Sequence, residues 1–183
     1  RGPGGGGGPE EDWLFNAEYP MIRWLERNGY HVSYTTDVDM DKDPIGITPT
    51  GAGGTYNHKI FLSVGHDEYW SATQRTKIEN ARDAGVHLAF FSANEVYWKT
   101  RWEDNHRTLV CYKEGTLGEN VCGTGCDPSS TWTGLWRDGN PATYPGSDGF
   151  RPENALTGQI GWHLSTFAME VPDTYKNFRF WRN

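Results

Sequence analysis

His66-Asp67-Glu68-Tyr69-Trp70 stands directly after the apolar run Ile60-Phe61-Leu62-Ser63-Val64-Gly65. An imidazole beside carboxylates can move a proton near neutral pH, so Glu68 or His66 is read as a general base, with Asp67 beside them. A second cluster, Ala93-Asn94-Glu95-Val96-Tyr97-Trp98-Lys99-Thr100-Arg101-Trp102, follows another apolar run from Gly85 to Ser92. There Asn94 or Arg101 could stabilise an oxyanion, and Glu95 adds a further carboxylate. His66, Asp67, Glu68, Asn94, Glu95 and Arg101 are therefore the candidate catalytic residues. Each has a structural reading too. Asp67 and Glu68 just before a helix would favourably face its N-terminal dipole, His66 could hold the turn, and Arg101 could pair with Glu95 or Glu68.

The elements that must position these groups are legible from spacing. Met21, Ile22 and Leu25 fall on one face of a helix from Pro20 to Asn28, with Pro20 in the first turn and Gly29 as the stop. Tyr30-His31-Val32-Ser33-Tyr34-Thr35 reads as a strand ending at Asp37, and Lys59 to Gly65 as a buried strand. Ser71 caps the next helix with Gln74 as its capping-box partner, and Ile78, Ala81 and Ala84 give the helix an apolar side before Gly85. Gly85 to Ser92 is the next strand. Helices alternating with strands imply an α/β fold with a mainly parallel sheet flanked by helices, and ligands bind such sheets outside the carboxyl ends of the strands. The two polar clusters are thus expected to face each other. Beyond Thr108 the chain reads as an irregular, β-rich half, with short strands at Leu156–Trp162, Phe167–Val171 and Phe178–Trp181. Three parallel strands are few for such a sheet, so either later strands extend it or a first strand is absent from this chain.

Residues 1–12 contain a Gly-rich tract that reads as a flexible linker or loop, and residues 13–183 as one folded domain. The chain opens on Arg1-Gly2-Pro3 and is read as part of something longer. A net charge of −7 without a basic stripe argues against nucleic acid, and no apolar stretch is long enough for membrane insertion. Nine Trp and nine Tyr exceed what the core needs and point to ring-lined surfaces suited to a glycan-like or small organic ligand. Cys122 and Cys126 share a Gly-rich loop that permits a local disulfide, whereas Cys111, in the strand-like run Arg107–Tyr112, reads as an inert thiol. The run Asp37-Val38-Asp39-Met40-Asp41-Lys42-Asp43 lacks the glycine and the final glutamate of an EF-hand loop. A solvated turn or a looser cation site remains.

Glu18-Tyr19-Pro20-Met21-Ile22-Arg23-Trp24-Leu25-Glu26, Tyr34-Thr35-Thr36-Asp37, Gly65-His66-Asp67-Glu68-Tyr69-Trp70-Ser71, Phe91 to Lys99 and Arg151-Pro152-Glu153-Asn154-Ala155-Leu156-Thr157-Gly158 together resemble the C-terminal domain of the N,N-dimethylformamidase large-subunit-like family. The resemblance runs from Phe15 to Asn183. It implies a flavodoxin-like core related to the class I glutamine amidotransferase and ThuA-like sheets, in larger secreted bacterial proteins with an extracellular location. It also implies a segment before Gly2 that supplies the first strand, here expected from a companion N-terminal chain or segment. Amidotransferase chemistry needs a cysteine on the turn now held by His66, Asp67 and Glu68, which argues against cysteine catalysis. The dimethylformamidases resemble mononuclear iron enzymes with two tyrosines and a glutamate as ligands. From that resemblance Tyr69 takes one tyrosine position and Glu153 is a substitute carboxylate for iron or another transition metal, a hard cation that would activate water.

Two function classes follow. One is a hydrolase of small amide carbon–nitrogen bonds, a dimethylformamidase-like amidohydrolase; the other is a non-catalytic extracellular module that binds a glycan or another protein, or supports assembly.

Overall fold

The computed structural model describes residues 14–42, 57–92, 94–115, 126–138, 142, 150–160 and 170–179. Within them the chain is mixed α/β. A π-helical turn, Leu14–Glu18, runs into helix α1 (Tyr19–Arg27), which starts at Pro20 as expected and ends at Asn28 and Gly29. Met21, Ile22 and Leu25 are half-buried, yet no residue of α1 is fully buried and Trp24 is 52% exposed.

Tyr30–Thr35 was expected as a strand and is extended, but it joins no ladder among the described residues. Its alternating side chains suit a sheet, and no described strand lies alongside to accept its backbone. The acidic run after it is a short helix, α2 (Asp37–Lys42), and neither a solvated turn nor a cation loop. Thr36 explains this: its hydroxyl accepts the Asp39 amide at 3.2 Å and donates to the Asp39 carboxylate at 2.7 Å. That exchange caps the helix start, and Asp37 and Asp39 in its first turn suit the helix dipole. Asp43 lies outside the described residues.

Strand β1 (Ile60–Gly65), helix α3 (Ala72–Asp83) and strand β3 (His87–Ser92) form a βαβ unit, with β1 and β3 parallel from Ile60 against His87 to Gly65 against Ser92. Three more strands form a second sheet: β2 (Tyr69–Ser71) pairs in parallel with β4 (Trp98–Glu103), which pairs antiparallel with β5 (Thr108–Val110). The two polar-aromatic clusters therefore meet through a ladder, Tyr69 opposite Trp98 and Ser71 opposite Thr100. Ser71 accepts the Gln74 amide at 3.1 Å and so caps α3, but the expected capping box is only half made. The Gln74 side chain donates instead to Asp37 at 2.9 Å and ties α3 to α2.

The core gathers Met40, Trp70, Ile78, Val96, Trp136 and Leu156, with Phe61, Leu88 and Phe90 of the parallel pair packed against it. Trp70 and Ile78 are wholly buried, so α3 and the turn after β1 are anchored on the same apolar centre. The described residues of the C-terminal part are irregular, and those of them that fall in the expected strands form none. Leu156 lies within a helical turn, α4 (Asn154–Thr157), which Gly158 stops in a left-handed conformation. Phe178 lies in a turn after Asp173–Tyr175, and most of Phe167–Val171 and Phe178–Trp181 is outside the described residues, as are residues 1–12 and Trp13. Cys126 is disulfide-bonded and Cys111 is a free, half-buried thiol; Cys122, the expected partner of Cys126, is outside the described residues.

Candidate functional site

Gly65 ends β1 with φ +100°, a conformation that side-chained residues rarely adopt, and a Cβ there would press on Glu18 at 3.3 Å. This sharp exit sends His66, Asp67 and Glu68 across the carboxyl ends of β1 and β3. The turn after β3 is held against it by three backbone bonds: Val96 donates to the Asp67 carbonyl at 2.9 Å, and Tyr97 and Trp98 donate to the Glu68 carbonyl at 3.0 and 2.8 Å. Asn94 and Val96 both have positive φ, 55° and 51°, so this turn is strained at the place where it meets its partner.

Alternation along the two turns sorts their side chains into two layers. In the outer layer one oxygen of Glu68 meets both His66 Nδ1 at 3.3 Å and the Asn94 amide Nδ2 at 2.7 Å. The His66 and Glu68 side chains keep 25% and 18% of their exposure, so this layer is in contact with solvent. In the inner layer the buried Ser63 hydroxyl lies 2.7 Å from Asp67 and 3.1 Å from Glu95, and the Asp67 amide donates to Ser92 at 3.3 Å. One hydroxyl proton cannot serve two carboxylates. A protonated Glu95 donating to Ser63, which donates to Asp67, satisfies all three groups.

The electrostatics agree with that arrangement. Burial, then the Asp67 charge, push the Glu95 carboxyl up to about 8, against the opposing hydrogen bonds from Ser92 and Ser63. Burial also raises Asp67, opposed by Ser63 and by the Trp70 indole N–H, which lies nearby without closing a hydrogen bond of good geometry. Asp37 is raised to about 6 by burial of its carboxylate and by Asp67, although Gln74 holds it, and Glu18 is raised by burial and Asp67. Four carboxyl groups from four segments thus crowd the floor of the crevice. Among the described residues no group of three or more His, Cys, Asp or Glu side chains is arranged to hold a metal ion.

The other expected site residues have partners of their own. Arg101 reaches neither Glu95 nor Glu68: it bonds Glu103 at 2.7 Å, Asp127, and the Thr131 carbonyl at 2.9 Å. It fastens β4 to the loop that carries Asp127. Glu153 is buried under Arg137, whose guanidinium meets both of its oxygens. Tyr69 instead carries the Lys113 ammonium 5.2 Å from its ring centre. A carboxylate already matched by a guanidinium and a phenol already beside an ammonium do not make a donor set for a hard cation, so Tyr69 and Glu153 do not fit the iron that the resemblance implies. An open hollow of about 460 Å³ beside Ala72, Thr73, Thr76, Lys77 and Arg151 includes none of the crevice residues.

Sequence reasoning missed Ser63, Ser92, Asp37, Glu18 and Lys113. Ser63 left a trace, as the one hydroxyl in an apolar strand; Asp37 was visible only as part of an acidic run. Lys113 left none. Burial opposes its charge, but the Tyr69 hydroxyl, Cys111 and Glu68 outweigh this and raise it above the usual lysine value.

An α/β domain with a polar crevice at the ends of two parallel strands is what the fold and site define. The chain belongs to the N,N-dimethylformamidase beta subunit-like, C-terminal family, which matches residues 3–183. No curated protein matches it.

Proposed function

We propose that the crevice hydrolyses the carbon–nitrogen bond of a small amide, with His66 as general base. The observation that carries this is the single Glu68 oxygen that engages His66 Nδ1 and Asn94 together. A carboxylate at Nδ1 favours a proton there and leaves Nε2 as the basic nitrogen. Nε2 takes a proton from water as its oxygen attacks the amide carbon, then returns that proton to the nitrogen as the carbon–nitrogen bond breaks. An amine and a carboxylic acid result. Asn94 holds Glu68 in place, and a neutral Glu95 below keeps a further negative charge away from the imidazole. Family membership supports this choice of reaction.

In Glu68→Gln we expect kcat/KM for amide hydrolysis to fall by about 10²-fold or more, the scale of acid–base assistance. Asn94→Ala should lose less, with melting temperatures of both variants near wild type. Full activity in Glu68→Gln would contradict the assignment.

A second observation supports an assembly role beside catalysis. Parallel sheets are ordinarily covered on both faces, yet Ser63 is the only fully buried residue of β1 and β3, and Ile60 and Phe91 are both 56% exposed. The unladdered Tyr30–Thr35 segment, the largely exposed α1 and this two-stranded pair fit a flavodoxin-like sheet completed by a strand from a companion chain or segment. The exposed Trp24 and Tyr30 rings, stacked 5.5 Å apart, would then lie beside the interface; a glycan-like ligand is the alternative for these rings.

A further inference from the structure

Lys113 lies just beyond β5, two residues after the free Cys111, and its φ of +53° is a conformation that a lysine adopts only at a cost. That backbone turns its half-buried side chain back over β2 and β4, where the ammonium sits 5.2 Å from the ring centres of both Tyr69 and Trp98. These distances are within cation–π range, so the two neighbouring rings of the ladder form a seat for the charge. The chain has 24 acidic residues against 17 basic ones, yet among the described residues no carboxylate stands within ion-pair distance of Lys113. Arg101, Arg137 and Arg151 each have such a partner. Glu68 is close enough to act on Lys113 through space without closing an ion pair. An ammonium fixed over two rings and beside Glu68, with coordination to spare, can take an anionic oxygen.

We propose that Lys113 is the carboxylate-binding residue of the crevice: it receives the carbonyl oxygen of the substrate and then holds the carboxylate product of hydrolysis. The inference rests on the amide-hydrolase reading for its substrate, but binding of a carboxylate can be measured without turnover. The preferred ligands are amides with a short acyl group, since the acyl oxygen must reach between the two rings and Glu68. The amine half is left toward His66.

The test is a titration of the full chain with sodium formate and with sodium acetate, followed by the backbone amide and lysine side-chain resonances. Saturable binding is expected to shift signals of Lys113, Tyr69 and Trp98. Lys113→Met, which keeps the packing on the rings, should weaken binding about tenfold or more, Lys113→Arg should recover part of it, and Lys176→Met, on an exposed lysine, should match wild type. No saturable binding to wild type, or equal affinity in Lys113→Met, overturns the proposal. The two readings separate cleanly. A wild type inactive on amides that loses formate with Lys113→Met keeps the subsite and removes the hydrolase reading. An active enzyme in which Lys113→Met, folded as judged by its spectrum, changes neither kcat/KM nor product inhibition removes the subsite alone.

Discussion

Ser63 links Asp67 and Glu95 by one hydroxyl, so the protonation of Glu95 decides whether the crevice floor is satisfied. Glu95 sits near 4.5 when unperturbed and at about 8 in the fold, so the folded state holds a proton that the unfolded chain has lost between those values. Stability should therefore be present in full below about pH 4.5 for this group and fall as pH rises toward 8, with Asp37 adding the same sign from 3.8 to about 6. Glu95→Gln, which mimics the protonated acid, should flatten that fall. Its melting temperature at pH 9 should exceed wild type by at least about 3 °C, roughly 1 kcal/mol in a domain of this size. An unchanged pH profile would show that Glu95 is ionised. The His66–Glu68 motif was legible because an apolar run ended at a glycine and delivered ionisable groups. The inner layer was not, because Ser63 and Glu95 lie 32 residues apart and only the parallel pairing of β1 and β3 brings them together.

The elements that local rules could specify were readable. Pro20 and Gly29 bound α1, Ser71 caps α3, and β1 and β3 follow their apolar runs. Strand β4 was hidden because Trp98–Glu103 holds three charged residues and a threonine between and after its two tryptophans, and its ladders to β2 and β5 supply what its sequence does not advertise. The expected strand at Leu156 yielded to one helical turn that buries Leu156 in the core, a tertiary choice invisible to periodicity. Gly134 shows how tightly the irregular part is joined to this frame. A Cβ there would lie 2.1 Å from the Glu114 carbonyl oxygen, at the bridge where residue 134 meets residue 114. Gly134→Ala should therefore cost about 3 kcal/mol and lower the melting temperature by roughly 6–12 °C, measured by calorimetry. A shift within 1 °C or so of wild type would mean that the bridge does not form.

For the whole molecule, the apolar centre lies around Trp70 and Trp136 while the parallel pair and α1 remain thinly covered. A companion strand should protect the amides of β1 and of residues 30–35 from hydrogen exchange, whereas the chain alone should exchange them much faster than those of α3. Equal, high protection in the isolated chain would contradict an incomplete sheet. None of the described helices is long and apolar enough to cross a membrane. Hydrolysis in this crevice depends most directly on His66. The decisive measurement is amine release from short-acyl N-alkyl amides by the full protein, comparing wild type with His66→Asn and verifying that both fold. Turnover by wild type and a loss of about 10²-fold or more in kcat for His66→Asn are expected; equal turnover by the two proteins would contradict a general base at His66.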